Sequence, residues 1–446
     1  MIELNFSNMM TEILGETGIA DRQIEAMRDR IEKAHLEIHQ RTRPELAFME
    51  LISQDTTGIK AMAEQIRSDS EDFLIFGIGG SALGPRSILE ALSPFHNLRK
   101  RPRVFIYDNV DPKTLTQILS LVNRDKTTAN VITKSGSTAE TMASFMVIWD
   151  ELSRNLGSRA PERIIATTDP LKGTLREIAD NYGIRTLSIP PGVGGRYSVL
   201  SPVGLLLAEV LGINSNELLK GAADIQDRCT NPEIWTNPAY IFGTLLYLMA
   251  TEEKKNINVM VPYADGLKCF SEWFCQLWAE SLGKLGWGIT PYPSLGTIDQ
   301  HSQLQLWMEG PGDKVVIFLK IIDYGTDIRI PEVFQDREGI GYLGGHFLSE
   351  LIHAEEESTE LALAKNKRPN MTVRLPSLDP YHLGQLFQFF EIATAFTGFL
   401  YGVNPFNQPG VEEGKNYTYG MMGKKGFEKK REEVEKAREK KVCYRI

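Results

Sequence analysis

Residues 129–141 read ANVITKSGSTAET and crowd hydroxyl groups and one cation around a glycine. A serine or threonine commonly caps a helix by accepting backbone N–H bonds, and one or two hydroxyls would satisfy that need. This cluster exceeds it and suits a ligand with many acceptor oxygens, of which phosphate is the usual example. The candidate phosphate ligands are Thr133, Lys134, Ser135 and Thr138. Capping and turn formation are the alternative, and for Thr141 alone a cap or simple surface exposure is expected.

A glycine-rich stretch, FLIFGIGGSALGP at 73–85, follows a predicted buried strand and precedes a helical pattern. Glycines at such a turn let the backbone approach an anion and point N–H groups at it. Gly80 and Ser81 lie inside this loop, where the Ser81 hydroxyl is placed to donate to a ligand. Because parallel strands end on the same edge of their sheet, this loop and residues 133–138 are expected to converge on one phosphate.

The same loop also satisfies the motif GxGxxA through Gly77, Gly79 and Ala82. In dinucleotide-binding proteins such a loop holds the pyrophosphate, and an acidic residue on the next strand, here Asp108, holds the ribose. A nicotinamide-dependent dehydrogenase is therefore the first alternative. Ser81 and the hydroxyl-rich loop count against it, since two converging donor loops suit a phosphomonoester better than a dinucleotide.

Two further segments carry groups that could move a proton and hold the resulting charge. Arg196 stands in a glycine-flanked turn, GGRYS, before an apolar helix. A fixed guanidinium stabilises developing negative charge, and a surface arginine is the alternative. Gln276 and Glu280 are four residues apart at the edge of one apolar helical stripe. Glu280 is a candidate general base if that edge borders a cleft, and a half-exposed glutamate otherwise.

For three further polar side chains, the local sequence pattern alone does not indicate a catalytic role. His301 follows the TPYPSLG turn in a polar segment, where a histidine is more often solvated than catalytic. Gln408 and Lys415 lie in NPFNQPGVEEGK at 404–415, which is rich in turn formers and reads as a loop.

Short apolar runs alternate with amphipathic segments of helical length, which predicts parallel strands covered by helices. The predicted strands form two series, 73–77, 104–108, 130–133, 163–169 and 185–190, then 256–265, 314–322 and 370–378. Helices are predicted over 20–68, near 200–255, and over 267–284, 342–364 and 380–400. The sequence therefore predicts two α/β halves in tandem, and the charged segment 424–446 is expected to form a solvated surface helix.

The composition excludes several classes of protein. The 446-residue chain carries a formal net charge of -9, which argues against a nucleic-acid partner and requires any anionic ligand to be held by local geometry. Its four cysteines, Cys229, Cys269, Cys275 and Cys443, show neither a CxxC pair nor zinc-ligand spacing, so no disulfide framework or metal site is predicted. The chain shows no export signal and no apolar run of membrane-spanning length, which predicts a cytoplasmic protein.

Several segments, taken together and in order, resemble the glucose-6-phosphate isomerase (phosphoglucose isomerase) family. They are GIGGSALGP at 77–85, TKSGSTAET at 133–141, GGRYSVLSPVGL at 194–205, QLWAESLGK at 276–284, DQHSQLQ at 299–305 and NPFNQPGVEEGK at 404–415. Because the motifs are independent of one another and spread over most of the chain, the resemblance is specific.

The resemblance implies a role for each candidate residue. The phosphate site comprises Gly80, Ser81, Thr133, Lys134, Ser135 and Thr138, and the pocket is lined by Gln276 and Gln408. Arg196 corresponds to the stabiliser of the enediolate, and Glu280 to the base that carries a proton between C1 and C2. His301 and Lys415 correspond to the groups that open the sugar ring and shuttle the O1/O5 proton.

The resemblance also implies a fold, a reaction and an assembly. The family folds as two sugar-isomerase (SIS) domains, each a mostly parallel sheet flanked by helices, so domains are expected at 1–215 and 216–446. It interconverts glucose 6-phosphate and fructose 6-phosphate through a cis-enediol(ate), in glycolysis and gluconeogenesis, without metal or cofactor. The histidine comes from the neighbouring subunit, which implies a homo-oligomer, expected to be a dimer, with shared active sites.

The chain departs from the family pattern at two positions. Thr133 stands where serine is common, which keeps the donor and narrows the pocket, and Asn407 stands where aspartate is frequent, which removes a charge from that loop. A non-catalytic phosphosugar-binding regulator built on the same domain is the second alternative. It would keep the phosphate loops without needing Glu280, His301 and Lys415, so the joint presence of these three favours the isomerase.

Overall fold

The strands of the protein form two five-stranded sheets, in a computed structural model that describes residues 1–40 and 42–439. In chain order the strands are β1 (Glu3–Asn5), β2 (Asp72–Phe76), β3 (Arg103–Tyr107), β4 (Thr127–Ile132), β5 (Ile164–Thr168), β6 (Arg185–Ser188), β7 (Ile257–Pro262), β8 (Thr290–Pro293), β9 (Lys314–Asp323) and β10 (Asn370–Ser377). The first sheet has the order β3-β2-β4-β5-β6 and the second the order β1-β10-β9-β7-β8. All neighbouring strands are parallel except β1 and β10.

Helices cover both sheets and fill the space between them. The first nine are α1 (Thr11–Leu14), α2 (Asp21–Glu25), α3 (Arg28–Ile38), α4 (Thr57–Asp69), α5 (Gly80–Leu92), α6 (His96–Arg99), α7 (Pro112–Leu121), α8 (Ala139–Leu156) and α9 (Thr174–Tyr182). The later ones are α10 (Pro202–Val210), α11 (Ser215–Arg228), α12 (Pro238–Thr251), α13 (Lys268–Leu282), α14 (Ile298–Ser302), α15 (Leu304–Glu309), α16 (Leu348–Lys365), α17 (Pro380–Tyr401), α18 (Glu412–Met421) and α19 (Glu428–Glu439). Within the described residues, none of these helices has both the length and the apolar character needed to cross a membrane.

The strand predictions are confirmed, with two strands missed. All five runs of the first series become β2 to β6, and the three runs of the second become β7, β9 and β10. Their continuous apolar character reflects burial on both faces, as in β2, where every residue is buried. The missed strands are β1, only three residues long, and β8, whose TPYP sequence has two prolines. Both are edge strands, where proline removes no ladder hydrogen bond.

The helical prediction over 20–68 is right for α2, α3 and α4, while Pro44–Ser53 forms a 3-10 helix. The predicted charged surface helix includes α19, whose described side chains are mostly exposed. Residues 440–446 of that prediction, including Cys443, lie outside the described residues.

Helix α17 lies at the centre of the largest hydrophobic cluster and packs against α3, α11, α12 and α13. Its apolar residues are distributed around the helix, as expected of a buried helix, and most of its residues are buried, including Gln385, Gln388 and Glu391. The boundary predicted between residues 215 and 216 stays a prediction. Strand β1 pairs with β10 of the second sheet, so a division along the sheets would place residues 3–5 with the second half.

Candidate active site

A cavity of about 460 Å³ lies at the carboxyl ends of β2 and β4, and α13 and residues 404–415 form its opposite wall. The two strands are direct neighbours, which sets the loops that follow them side by side. The candidates that line the cavity are Gly80, Ser81, Thr133, Lys134, Ser135, Thr138, Arg196, Gln276, Glu280, Gln408 and Lys415. The prediction that the glycine-rich loop and residues 133–138 converge at one edge of the sheet is thus confirmed.

Close backbone contact joins the glycine-rich loop to the turn that carries Arg196. A Cβ atom on Gly80 would lie 2.2 Å from the carbonyl oxygen of Gly195, a distance that no side chain tolerates. Gly79, at φ +56, approaches Gln276 in the same way, since its Cβ would lie 2.6 Å from the amide nitrogen. These two glycines let the start of α5 pack against both the arginine turn and α13.

The hydroxyl-rich loop gathers its oxygens in one place. The Oγ1 atoms of Thr133 and Thr138 are 3.0 Å apart, and the Ser135 hydroxyl lies 3.4 Å from each of them. Thr138 is the N-cap residue of α8, yet in the part of the chain that the structure describes its side chain makes no capping hydrogen bond. Capping therefore does not explain this hydroxyl, and the cluster lies at a helix N-terminus, where the backbone favours an anion.

Lys134 supplies the local positive charge. Its ammonium group donates to the carbonyl of Val193 at 2.7 Å. Burial lowers the pKa of Lys134, and the nearby Asp169 carboxylate opposes that shift. A bound anion would stabilise the charged form further, because it supplies the second negative partner that this half-buried cation lacks.

Arg196 is buried, with 4% of its surface exposed, so the surface-arginine alternative is wrong. Its turn, Gly195–Tyr197, directs the side chain between α13 and the 404–415 segment. All five guanidinium N–H groups have acceptors. Nε donates to Ser281 Oγ at 2.8 Å, and Nη1 donates to Glu280 Oε2 at 3.1 Å and to Gln408 Oε1 at 3.0 Å. Nη2 donates to the backbone carbonyls of Pro405 at 2.6 Å and Asn407 at 3.1 Å. The guanidinium is therefore held rigidly beside the cavity.

Glu280 presents a carboxylate to the cavity from α13. Its side chain is 34% exposed and forms an ion pair with Arg196. Its other oxygen accepts a hydrogen bond from the Gln276 amide at 3.3 Å, as the four-residue spacing on one helix face allows. A fixed cation and a solvent-accessible carboxylate thus meet on one wall, an arrangement suited to moving a proton and holding the charge left behind.

Lys415 lines the cavity from α18 and pairs with Glu412 at 2.8 Å. His301 does not join it within one chain, because it is exposed on the short helix α14 and is not part of the cavity wall. The two residues for which the resemblance implies ring opening are therefore separated in the single chain.

Three further polar side chains on the cavity wall were not predicted. Thr141 is buried and lines the cavity, and its hydroxyl has no hydrogen-bond partner within the described residues, so the expected cap or surface position is wrong. It lies one helical turn into α8, on the face that carries Thr138. Asp169 and Lys172 follow β5, the next strand in the sheet, and the same edge argument applied to RIIATTD would have found them.

Asp108 is not available to bind a ribose, as the dinucleotide-binding alternative requires. Asp108 forms a two-pronged ion pair with Arg86, whose Nε and Nη2 both donate to the carboxylate. The Asp108 carboxylate raises the pKa of the Arg86 guanidinium. The carboxylate that would grip a ribose is thus already bound within the protein.

Comparison with known proteins identifies the relatives of this chain. The family described as Phosphoglucose isomerase matches residues 49–334 and 349–435. A glucose-6-phosphate isomerase from Carboxydothermus hydrogenoformans is 40% identical over 455 residues, which cover 98% of each chain. Another from Rubrobacter xylanophilus is 50% identical over 372 residues, covering 82% of this chain and 86% of the relative.

The fold agrees with that relationship. The crystal structure of a glucose-6-phosphate isomerase from Chlamydia trachomatis superimposes with a TM-score of 0.79 at 22% identity, covering 94% of this chain and 93% of the other. The predicted α/β fold of two SIS-type domains with mostly parallel sheets is confirmed. By sequence over most of its length, this chain belongs to the phosphoglucose isomerase family.

Proposed function

We infer that this protein interconverts glucose 6-phosphate and fructose 6-phosphate, a step of glycolysis and gluconeogenesis. The observation that carries the inference is the Glu280–Arg196 pair, 3.1 Å apart, on the wall of a cavity that also holds a hydroxyl-rich loop. One wall supplies acid–base chemistry and the other supplies donors for a phosphate. The family membership and the close relatives support the same reaction.

The phosphate end of the sugar is proposed to bind the two converging loops. Ser81 and the hydroxyls of the 133–138 loop donate to the phosphate oxygens, the N-terminus of α8 favours the charge, and Lys134 balances it. Because the phosphate does not react, its binding energy positions C1 and C2 at the opposite wall.

At that wall, Glu280 is proposed to move the proton. In the aldose-to-ketose direction its carboxylate removes the C2 proton of the open-chain sugar, and the electron pair passes to the C1 oxygen to give a cis-enediolate. The Arg196 guanidinium stabilises that oxyanion, and a proton then passes from the C2 hydroxyl to the C1 oxygen. The protonated Glu280 returns its proton to C1, the electrons of the C1=C2 double bond form the new C1–H bond, and the C2 oxygen becomes the carbonyl of the ketose. Atoms and electrons balance without an external oxidant, reductant or cofactor, and the reverse direction uses the same steps.

Ring opening is proposed to use Lys415 and a histidine from a second chain. Lys415 already lines the cavity, whereas His301 lies outside it in the single chain. A dimer in which His301 of the partner subunit reaches this cavity would complete the site. Exposed apolar side chains on the segment 324–347 support such an assembly, among them Ile328, Phe334 and Tyr342 with 65%, 64% and 69% of their surfaces exposed. A second copy of this chain is the proposed occupant of that surface.

A cytoplasmic location is proposed for the protein. Its phosphorylated substrates are charged and do not cross a bilayer unaided, so an enzyme that consumes them works where they are made.

The direct test is incubation of the purified protein with fructose 6-phosphate alone, with the sugar product identified by NMR. Glucose 6-phosphate should accumulate to an equilibrium mixture without added cofactor. Binding without turnover would instead favour a phosphosugar-binding regulator. A thermal shift with NAD and none with fructose 6-phosphate would favour the dehydrogenase.

A further inference from the structure

Two buried hydroxyls lie directly behind Arg196, on the side away from the cavity. Ser281 follows Glu280 on α13 and is fully buried, and its Oγ accepts the Nε–H of Arg196 at 2.8 Å. The hydroxyl of Tyr197 lies 3.1 Å from the same Oγ. Neither side chain is part of the cavity wall, so neither touches a ligand bound there.

Chemistry fixes the direction of the hydrogen bond between Arg196 and Ser281. A guanidinium has donors only, so the Ser281 oxygen must accept from Arg196. Burial raises the pKa of the Tyr197 phenol to about 12, which keeps it protonated and able to donate to Ser281. The Ser281 oxygen therefore accepts from Arg196 and shares a second hydrogen bond with Tyr197, in which either hydroxyl can donate.

The other contacts of the guanidinium determine which of its N–H groups can reach a ligand in the cavity. The partners of Nη1 are Glu280 and Gln408, which both line the cavity, whereas Nη2 is bound to backbone carbonyls. Nη1 can therefore donate to a substrate oxygen in place of Glu280 or Gln408, while Nη2 keeps its hydrogen bonds to the backbone carbonyls. Holding Nε fixes the rotation of the guanidinium plane that turns Nη1 toward the cavity.

We propose that Ser281 and Tyr197 form a positioning pair that aims Nη1 of Arg196 at the developing enediolate. Ser281 holds Nε directly, and Tyr197 acts through Ser281 by fixing its hydroxyl. This role rests on the proposed function, because it requires that Arg196 stabilise a transition-state charge. A loss of aim should weaken transition-state binding more than ground-state binding, and so lower kcat with little change in KM.

The ring of Tyr197 has a separate packing role that a conservative substitution preserves. It packs against Phe48 and Phe406, with ring centroids 4.8 Å and 5.3 Å away. Tyr197→Phe therefore removes the hydroxyl and keeps the aromatic contacts. Ser281→Ala removes the hydroxyl that accepts from Arg196 and changes the side chain by only one oxygen atom.

Four variants test the proposal: Ser281→Ala, Tyr197→Phe, the double variant, and Ser271→Ala as the matched control. Ser271 is a fully buried serine on the same helix, and within the described residues its hydroxyl bonds only to the backbone of Lys268. We expect Ser281→Ala to lower kcat by about tenfold, as the loss of one charge-assisted hydrogen bond allows, with KM within about twofold. Ser271→Ala should keep the wild-type kcat.

The double variant separates a relay from two independent effects. If Tyr197 acts through Ser281, the double variant should be no slower than Ser281→Ala. Additive losses of kcat would contradict the relay, and a fall in melting temperature with unchanged kcat in Ser281→Ala would reduce the pair to structural packing and overturn the proposal.

Assays of the wild type and of Arg196→Ala separate a failure of the proposed function from a failure of the positioning pair. An inactive wild type would refute the proposed function itself. An active wild type with a slow Arg196→Ala and an unimpaired Ser281→Ala would leave the function standing and refute the positioning pair alone.

Discussion

At the scale of single residues, the proposed function assigns binding and chemistry to opposite walls of the cavity. Hydroxyls and the Lys134 ammonium occupy one wall, while Arg196 and Glu280 occupy the other. Substitutions on the first wall should therefore act on KM, and substitutions on the second on kcat. Thr133, where the resemblance led us to expect serine, places its hydroxyl 3.0 Å from that of Thr138.

Lys134→Met should raise KM for fructose 6-phosphate by about 10- to 100-fold, because a half-buried cation beside the phosphate loses a charge-assisted contact. The value of kcat should fall much less. Steady-state kinetics and competition by inorganic phosphate measure both effects. Lys172→Met is the control, because Lys172 lines the cavity from an exposed position and should change KM less. Equal effects of the two substitutions would contradict the assignment of Lys134.

Sequence reasoning could find residues whose chemistry is unusual for their local pattern. The hydroxyl cluster and the Gln276 to Glu280 spacing were such cases, and both line the cavity. It could not show that Arg196 is buried, because burial depends on residues 404–415, which are distant in sequence. It missed Thr141 for the same reason, since a threonine in the first turns of a helix looks like a surface residue until the opposite wall is known.

At the scale of secondary structure elements, the site depends on contacts between loop backbones. Strands β2 and β4 were predictable because buried parallel strands are continuous apolar runs, and their common edge followed from parallel pairing. The approach of α5 to the Arg196 turn was not predictable, because nothing in the sequence around Gly80 indicates its contact with Gly195, which is distant in sequence.

Gly80→Ala should disrupt the site, because the added methyl group meets the Gly195 carbonyl at 2.2 Å and forces α5 away from the arginine turn. We expect a loss of about 1 to 3 kcal/mol of stability, and a fall in kcat/KM beyond what unfolding explains. Thermal unfolding and kinetics of the folded fraction measure these effects. In Gly58→Ala, the control on α4, the methyl group meets no atom within 4 Å, and wild-type behaviour is expected. A Gly80→Ala variant as active as the control would refute the close contact.

A buried ion pair between β9 and α16 predicts a pH-dependent stability. Burial raises the pKa of Glu356 to about 7 against the opposing pull of Lys320, 2.8 Å away. Between the unfolded-state pKa near 4.5 and this value, the folded protein binds more protons than the unfolded chain, so stability falls as pH rises.

Glu356→Gln should remove that dependence. Relative to wild type, the variant should gain about 2 kcal/mol of unfolding free energy between pH 5 and pH 8, measured by urea unfolding at each pH. Glu357→Gln is the control, because Glu357 contacts the same lysine but its pKa is lowered, so it does not titrate in this window. The same slope in wild type and Glu356→Gln would contradict the assignment.

At the scale of the whole molecule, the cavity of a single chain is lined by every proposed active-site residue except His301. The exposed apolar side chains of segment 324–347 and the exposed His301 both suit assembly with a second copy. From the sequence, this expectation came only from the resemblance to the family, because no local pattern distinguishes a histidine that serves a neighbouring subunit from a solvated one.

Shared sites predict complementation between two defective chains. Glu280→Gln and His301→Ala should each be nearly inactive alone. In a mixed dimer, one site combines Glu280 of one chain with His301 of the partner subunit, and activity should return to as much as half of the wild-type value per heterodimer. Co-expression with two affinity tags isolates the mixed species for assay. A mixed dimer as inactive as its parents would show that the histidine acts within its own chain.

The central claim is that Glu280 moves a proton between C1 and C2, and incubation with fructose 6-phosphate in D₂O tests it most directly. The wild type should form glucose 6-phosphate with deuterium at C2, and Glu272→Gln, on the same helix but away from the cavity wall, should match it. Glu280→Gln should bind fructose 6-phosphate nearly as well and incorporate no deuterium. Wild-type incorporation of deuterium by Glu280→Gln would contradict the claim.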